Sequence, residues 1–215
     1  RYNDFWSQNI AVNGLSVKEG QYKGENYRYV VLKKTVLYPQ KSGKLTLEPL
    51  TLDVSVEVPS SRRDIFGRRV MSTANRTVTA GRRTINARPL PEQARPENFS
   101  GAVGEFDFEA NVSRSSLVAT EAFRLSIEVK GKGNLKLFEL PKPNLPAALE
   151  IYEPERSENI DTSISGMRGS TADNYTIVPN EEGRYPIPSI AFSYFDLASE
   201  SYKTLLSNQI VISVK

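Results

Sequence analysis

The residues best equipped for chemistry in this sequence are carboxylates, arginines and a glycine pair. Glu105, Asp107 and Glu109 stand two apart, so an extended chain aims all three the same way. Paired carboxylates are the acid and base of glycoside hydrolysis. Phe106 and Phe108 alternate with them, however, and claim the core face, which sends the carboxylates to solvent. Glu150, Glu153, Glu155, Glu158 and Asp161 offer the oxygen ligands that calcium takes, but not in the Asp-x-Asp-x-Asp-Gly order of a calcium loop. They read as a solvated loop. Gly131-Lys132-Gly133-Asn134 has the look of a phosphate loop without its Gly-Lys-Ser/Thr ending or its following helix. It reads as a turn or bulge needing positive φ.

There is no cysteine and no histidine. This removes disulfides, thiolate catalysis and Cys-type zinc sites. It also removes the usual general base and any Ser-His-Asp triad. The expectation is a protein that is not an enzyme, with no catalytic residue, no metal ligand and no cofactor.

Two groups are candidates for partner binding. Arg62, Arg63, Arg68 and Arg69 surround Phe66 in residues 60–69, which read as a long, solvated and partly mobile hairpin loop with an aromatic at its tip. Arg76, Arg82 and Arg83 lie nearby. Interleaved Arg and Phe suit nucleic acid, but no recognition-helix pattern or aromatic platform accompanies them, so no nucleic-acid partner is expected. An acidic protein surface or anionic lipid headgroups suit the loop as well. Phe195 and Tyr202 form the second group, an exposed aromatic patch near a hairpin end.

The elements that carry these residues read almost wholly as strands. Phe106, Phe108, Ala110 and Val112 alternate with polar neighbours, as do Phe123, Leu125, Ile127 and Val129. Period-two alternation marks a half-buried strand. Residues 135–140, 148–152, 175–178, 185–195 and 202–214 complete about seven strands after Gly101, the spacing of an immunoglobulin-like sandwich. No stretch sustains helical spacing, and no window approaches the ~18 apolar residues of a membrane span.

The chain also repeats itself. Residues 39–50 and 179–190 share the frame Pro-x-x-x-Gly-[Lys/Arg]-x-x-[Leu/Ile]-x-x-[Leu/Ile] without a gap. Proline ends a strand and glycine supplies the turn. The frame is therefore strand, turn, strand, built twice. The fold class that follows is all-β, with tandem immunoglobulin-like β-sandwich modules. Residues 1–90 are a partial module, 91–100 a Pro-rich linker and 101–215 a complete module. The first module is N-terminally incomplete, because it has no counterparts of residues 106–112 and 123–129. Residues 1–98 carry 17 Lys and Arg against 9 Asp and Glu, net +8, and residues 99–215 carry 11 against 16, net −5. The abrupt start, Arg1-Tyr2-Asn3-Asp4, reads as a segment excised from a longer protein.

Several strings together resemble the BatD oxygen-tolerance (aerotolerance) family. They are Gly101-Ala-Val-Gly-Glu-Phe106 after a Pro-Leu-Pro stretch, Gly131-Lys-Gly-Asn-Leu-Lys-Leu137, Tyr152-Glu-Pro154, Tyr175-Thr-Ile-Val-Pro179, residues 183–196 and Tyr202-Lys-Thr-Leu205. Residues 5–8 and 37–43 extend the resemblance over the whole chain. It implies a periplasmic, extracytoplasmic region of a protein anchored to the cytoplasmic membrane by a segment outside this chain. It implies a non-enzymatic scaffold in a membrane-associated complex, with von Willebrand A-type and tetratricopeptide-repeat proteins as partners. The alternative is a cell-envelope carbohydrate-binding module.

Overall fold

A computed structural model describes residues 2–215. Its strands run β1 (Phe5–Ile10), β2 (Lys18–Tyr22), β3 (Glu25–Tyr29), β4 (Lys34–Pro39), β5 (Gly43–Leu47), β6 (Thr51–Arg63), β7 (Arg69–Thr79) and β8 (Arg83–Ala87). They continue with β9 (Gly104–Val112), β10 (Ser116–Leu117), β11 (Phe123–Gly133), β12 (Leu149–Ile151), β13 (Glu155–Ser163) and β14 (Gly166–Pro179). The last four are β15 (Gly183–Ile187), β16 (Ala191–Asp196), β17 (Ser201–Leu206) and β18 (Ile210–Val214). The protein is all-β, built as tandem immunoglobulin-like modules. The chain divides into one unit of Arg1–Ser7 with Leu37–Pro89 and another of Gln8–Val36 with Leu90–Lys215.

The second unit holds the sandwich. One sheet has the order β12-β14-β11-β9, with β13 also on β14, and the facing sheet is β10-β18-β15. The alternation read in the sequence is the inward face: Phe123, Leu125, Ile127 and Val129 of β11 are all buried. Leu125, Ile127, Tyr175, Ile177, Ile187 and Ile212 meet in the core between the sheets. At the other end β16 brings Phe192 against Phe106, Phe108, Phe138 and Tyr194, with ring centroids 5.5–6.0 Å apart. Offset and edge-on rings at such distances attract through their quadrupoles beyond simple burial.

The repeat is present in the register as well as in the sequence. β4 ends on Pro39 and β14 on Pro179; β5 starts on Gly43 and β15 on Gly183. Gly43 faces Ala87 and Leu47 faces Arg83, just as Gly183 faces Val214 and Ile187 faces Ile210. The next hairpin opens at Thr51 opposite Thr79 in one unit, and at Ala191 opposite Leu206 in the other. In the first unit β5 and β8, and β6 and β7, pair only two by two. Leu45 and Phe5 are its buried apolar anchors. Among its described residues no strand corresponds to β9 or β11.

Four sequence expectations are corrected. Gly131-Lys132-Gly133 is not a turn but the end of β11, with Gly131 opposite Phe106 on one side and Gly169 on the other, although Gly131 does take the expected positive φ. Residues 135–140 are not a strand: Leu135, Phe138 and Leu140 are buried from turns and irregular chain. The acidic run is not a loop but mainly the edge strands β12 and β13. Residues 60–69 are not one long loop, since ladder pairing reaches Arg63 opposite Arg69 and leaves only 64–68 to turn.

Candidate interaction surfaces

The predicted basic loop is the end of a long two-stranded arm, β6–β7. Its turn is held by Asp64, whose Oδ1 accepts from the amides of Phe66 (2.9 Å) and Arg68 (2.8 Å). The Asp64 amide donates to the Arg68 carbonyl at 2.8 Å, and Arg63 Nη1 to the Gly67 carbonyl at 2.9 Å. Gly67 takes φ +78°, a backbone conformation that costs glycine little. The fold therefore brings Arg62, Arg63, Phe66, Arg68 and Arg69 together, all exposed, around one hydrogen-bonded turn. Ile65, which the sequence reading passed over, stands beside Phe66; the two are 94% and 80% exposed.

Phe195 and Tyr202 also meet, with centroids 5.1 Å apart, but not as an exposed patch. Phe195 is buried. Its amide donates to the Ala102 carbonyl at 2.9 Å, and it pairs beside Val103. Tyr202 is half-buried, edge-on to Phe99 at 5.0 Å, and its hydroxyl donates to the Pro91 carbonyl at 2.7 Å. Asn98 adds bonds to the Ala191 carbonyl and from the Ser193 hydroxyl. These aromatics fasten the Pro-rich segment 91–100 onto the β16–β17 hairpin, with Phe195 buried and Tyr202 half-exposed.

A surface that the sequence reading missed is the β2–β3 hairpin. Lys23 (φ 52°) and Gly24 (φ 82°) form its two-residue turn, the left-handed pair that suits the twist of a hairpin. The register puts Lys18 opposite Tyr29, Gly20 opposite Tyr27 and Tyr22 opposite Glu25. Tyr22, Tyr27 and Tyr29 therefore share one face, and all three are exposed. Glycine at position 20 lets the Tyr29 ring lie over the strand: a Cβ there would sit 3.0 Å from it. Tyr27 donates to Glu25 at 2.6 Å, and that carboxylate raises the phenol's pKa. The legible signal was the alternation of residues 18–22 and 25–29 about Lys23-Gly24.

The carboxylates are distributed along sheet surfaces. Glu105, Asp107 and Glu109 are exposed and face Lys132, Lys130 and Glu128 across the ladder. β12 and β13 form the outer edge beside β14. Ile151 faces Ile177 and Glu155 faces Asn174, so the edge carries one extra residue, a bulge at Tyr152-Glu153-Pro154. Beside it runs a groove of about 510 Å³ lined in part by Glu139, Lys142, Tyr152, Glu153, Arg156 and Asp173. Asp173 is buried, and Arg156 grips it with Nε at 2.9 Å and Nη2 at 3.2 Å. That carboxylate is committed to holding β13 on β14. Nearby, Glu150 raises the pKa of the Tyr152 phenol. Among the described residues no three acidic groups converge as a metal site, and no helix is long and apolar enough to cross a membrane.

The comparisons with known proteins bear on the second unit. The family model described as the BatD DUF11 like domain matches residues 110–214, from the last three residues of β9 to the end of β18. No curated protein and no solved structure matches the chain. The match spans both sheets of the sandwich and the second copy of the repeat, where most of the resembling strings lie. On these grounds residues 110–214 form a BatD domain.

Proposed function

We propose that this chain is a non-enzymatic, extracytoplasmic scaffold region that binds partner proteins of a membrane-associated complex. The carrying observation is the tyrosine face of β2–β3. A two-stranded hairpin alone in water is marginally stable. This one exposes Tyr22, Tyr27 and Tyr29 on one side and keeps Glu19, Gln21, Asn26 and Arg28 on the other. Tyrosines give large contact area at low entropic cost and are enriched where proteins meet. A protein laid over this face supplies the burial that the hairpin lacks. The partners proposed are von Willebrand A-type and tetratricopeptide-repeat proteins. The proposed setting is the periplasmic side of the cytoplasmic membrane, where the full-length protein is anchored.

The test is photo-crosslinking from position 27 in the full-length protein in its own membrane. Capture of an envelope protein, lost when Tyr22 and Tyr29 are changed to Ser, is the expected result. Recovery of glycan alone sinks the scaffold reading and leaves the second one, a carbohydrate-binding module. That reading draws on the same tyrosines and on the groove beside Tyr152.

A further inference from the structure

The β6–β7 arm is an addition that the fold does not need. Its counterpart in the repeat, β16–β17, turns after Asp196 and returns at Ser201. The span from Thr51 to Thr79 is 13 residues longer than that from Ala191 to Leu206. The added strand length carries the tip roughly 20 Å farther out. Nothing along the arm is buried. A long solvent-exposed hairpin explained by folding alone would end in a polar turn. This one ends in Ile65 and Phe66, the two most exposed large apolar side chains of the described residues.

The surroundings of that tip define its ligand. Arg62, Arg63, Arg68 and Arg69 flank it on both sides, and the one acidic group of residues 62–69, Asp64, is occupied by two backbone amides. The ligand is therefore anionic at its surface and accepts apolar groups just beneath. The tip is convex, so it enters a yielding medium and does not enclose a small molecule. A nucleic acid would reward stacked aromatics, but Phe66 is alone and Ile65 has no use for a base. An acidic protein would need a cavity shaped for both side chains. A phospholipid surface supplies the phosphates and the apolar boundary together, without shape complementarity.

We propose that the arm docks on an anionic phospholipid surface, with Ile65 and Phe66 entering the headgroup boundary and the four arginines pairing with lipid phosphates. The Asp64 turn holds both apolar side chains outward before contact, which lowers the ordering cost of docking. This contact is separate from the tyrosine face, and its failure leaves the partner reading untouched.

Sedimentation of the 215-residue chain with vesicles tests it. The vesicles contain phosphatidylglycerol mixed with phosphatidylcholine, or phosphatidylcholine alone. The expected result is binding to the anionic vesicles only, weakened by salt. Each arginine changed to alanine lowers partitioning about fivefold, so Arg68→Ala with Arg69→Ala lowers it about 25-fold. Ile65→Ser with Phe66→Ser abolishes binding while leaving the circular dichroism spectrum unchanged, because neither side chain is packed. In a Trp6→Phe background, Phe66→Trp gives a blue-shifted emission on the vesicles that is shielded from an aqueous quencher. No binding to anionic vesicles overturns the proposal. So does binding that survives Ile65→Ser with Phe66→Ser, or tip-dependent binding to single-stranded DNA or polyglutamate without vesicle binding.

Discussion

Gly131 faces Gly169 across the β11–β14 pair, and neither position has room for one more carbon atom. A Cβ on Gly131 would lie 2.1 Å from the Glu105 carbonyl oxygen, and one on Gly169 would lie 2.0 Å from that of Asn159. Both residues also sit at positive φ, +155° and +143°. Gly131→Ala and Gly169→Ala are each expected to cost about 3 kcal/mol or more, through backbone displacement added to φ strain. Gly67→Ala, at φ +78° with open space around it, is the control and costs about 1 kcal/mol. Urea unfolding midpoints measure all three. Equal losses at positions 67 and 131 would show that close strand approach is not the cause.

Phe192 is 2% exposed at the centre of the aromatic end of the core. It touches rings from β9, from β16 and from the segment after β11. Phe192→Ala should destabilise by about 3–5 kcal/mol. Phe192→Leu, which fills more of the space, should cost about 1–2 kcal/mol. Denaturant titration followed by tyrosine fluorescence reads both. A loss below 1 kcal/mol for the alanine variant would mean that this end of the sandwich is not a packed core.

Asp196 and Lys203 set a pH window for stability. The Lys203 ammonium first, and then the Ala198 amide at 2.9 Å, hold the Asp196 carboxyl down to about 2. A depressed carboxyl stabilises the fold above its unfolded value near 4 and loses that contribution as pH falls toward 2. Asp196 in turn raises the Lys203 pKa, so the ammonium's contribution is present below its ordinary value and fades as pH rises through the raised one. The gap in thermal midpoint between wild type and Asp196→Asn should therefore be level from about pH 5 to pH 9 and close between about pH 4 and pH 2. A gap that persists undiminished at the acid end would exclude the ion pair as its source.

Tyr202→Phe removes one hydroxyl, the donor to the Pro91 carbonyl. The ring keeps its edge contacts with Phe99 and Phe195. The expected loss is about 0.5–1.5 kcal/mol. Amide hydrogen exchange should quicken in residues 92–99 and stay unchanged in β11 and β14. Unaltered exchange in 92–99 would show that the rings alone hold this segment.

Much of the architecture was legible because it rests on local rules. Pro39 with Gly43 and Pro179 with Gly183 mark a strand end and a turn whatever surrounds them. The alternation of residues 106–112 and 123–129 needs only one buried face to be readable. The arginine cluster with Phe66 was legible for a related reason, since side chains near a turn project together. Its form was not: only pairing across the hairpin shows that the ladder reaches Arg63 and Arg69.

Other features escaped because their cause lies elsewhere in the chain. Phe192 to Asp196 are buried without alternation. One side of β16 meets the aromatic core and another meets residues 98–103, which no local period records. Local pattern alone therefore puts Phe195 on the surface, where the fold buries it. Gly131 announced an unusual backbone, but the reason is the approach of Glu105 from β9. The Glu155–Ser163 strand has a polar sequence because it is an edge, held through Arg156 and Asp173. The sequence by itself determined the all-β class, the duplicated hairpin and the absence of Cys and His chemistry, since composition and period-two patterning are local properties. Tertiary structure alone decided which aromatics stay exposed, because burial depends on the strand that arrives from a distant part of the chain.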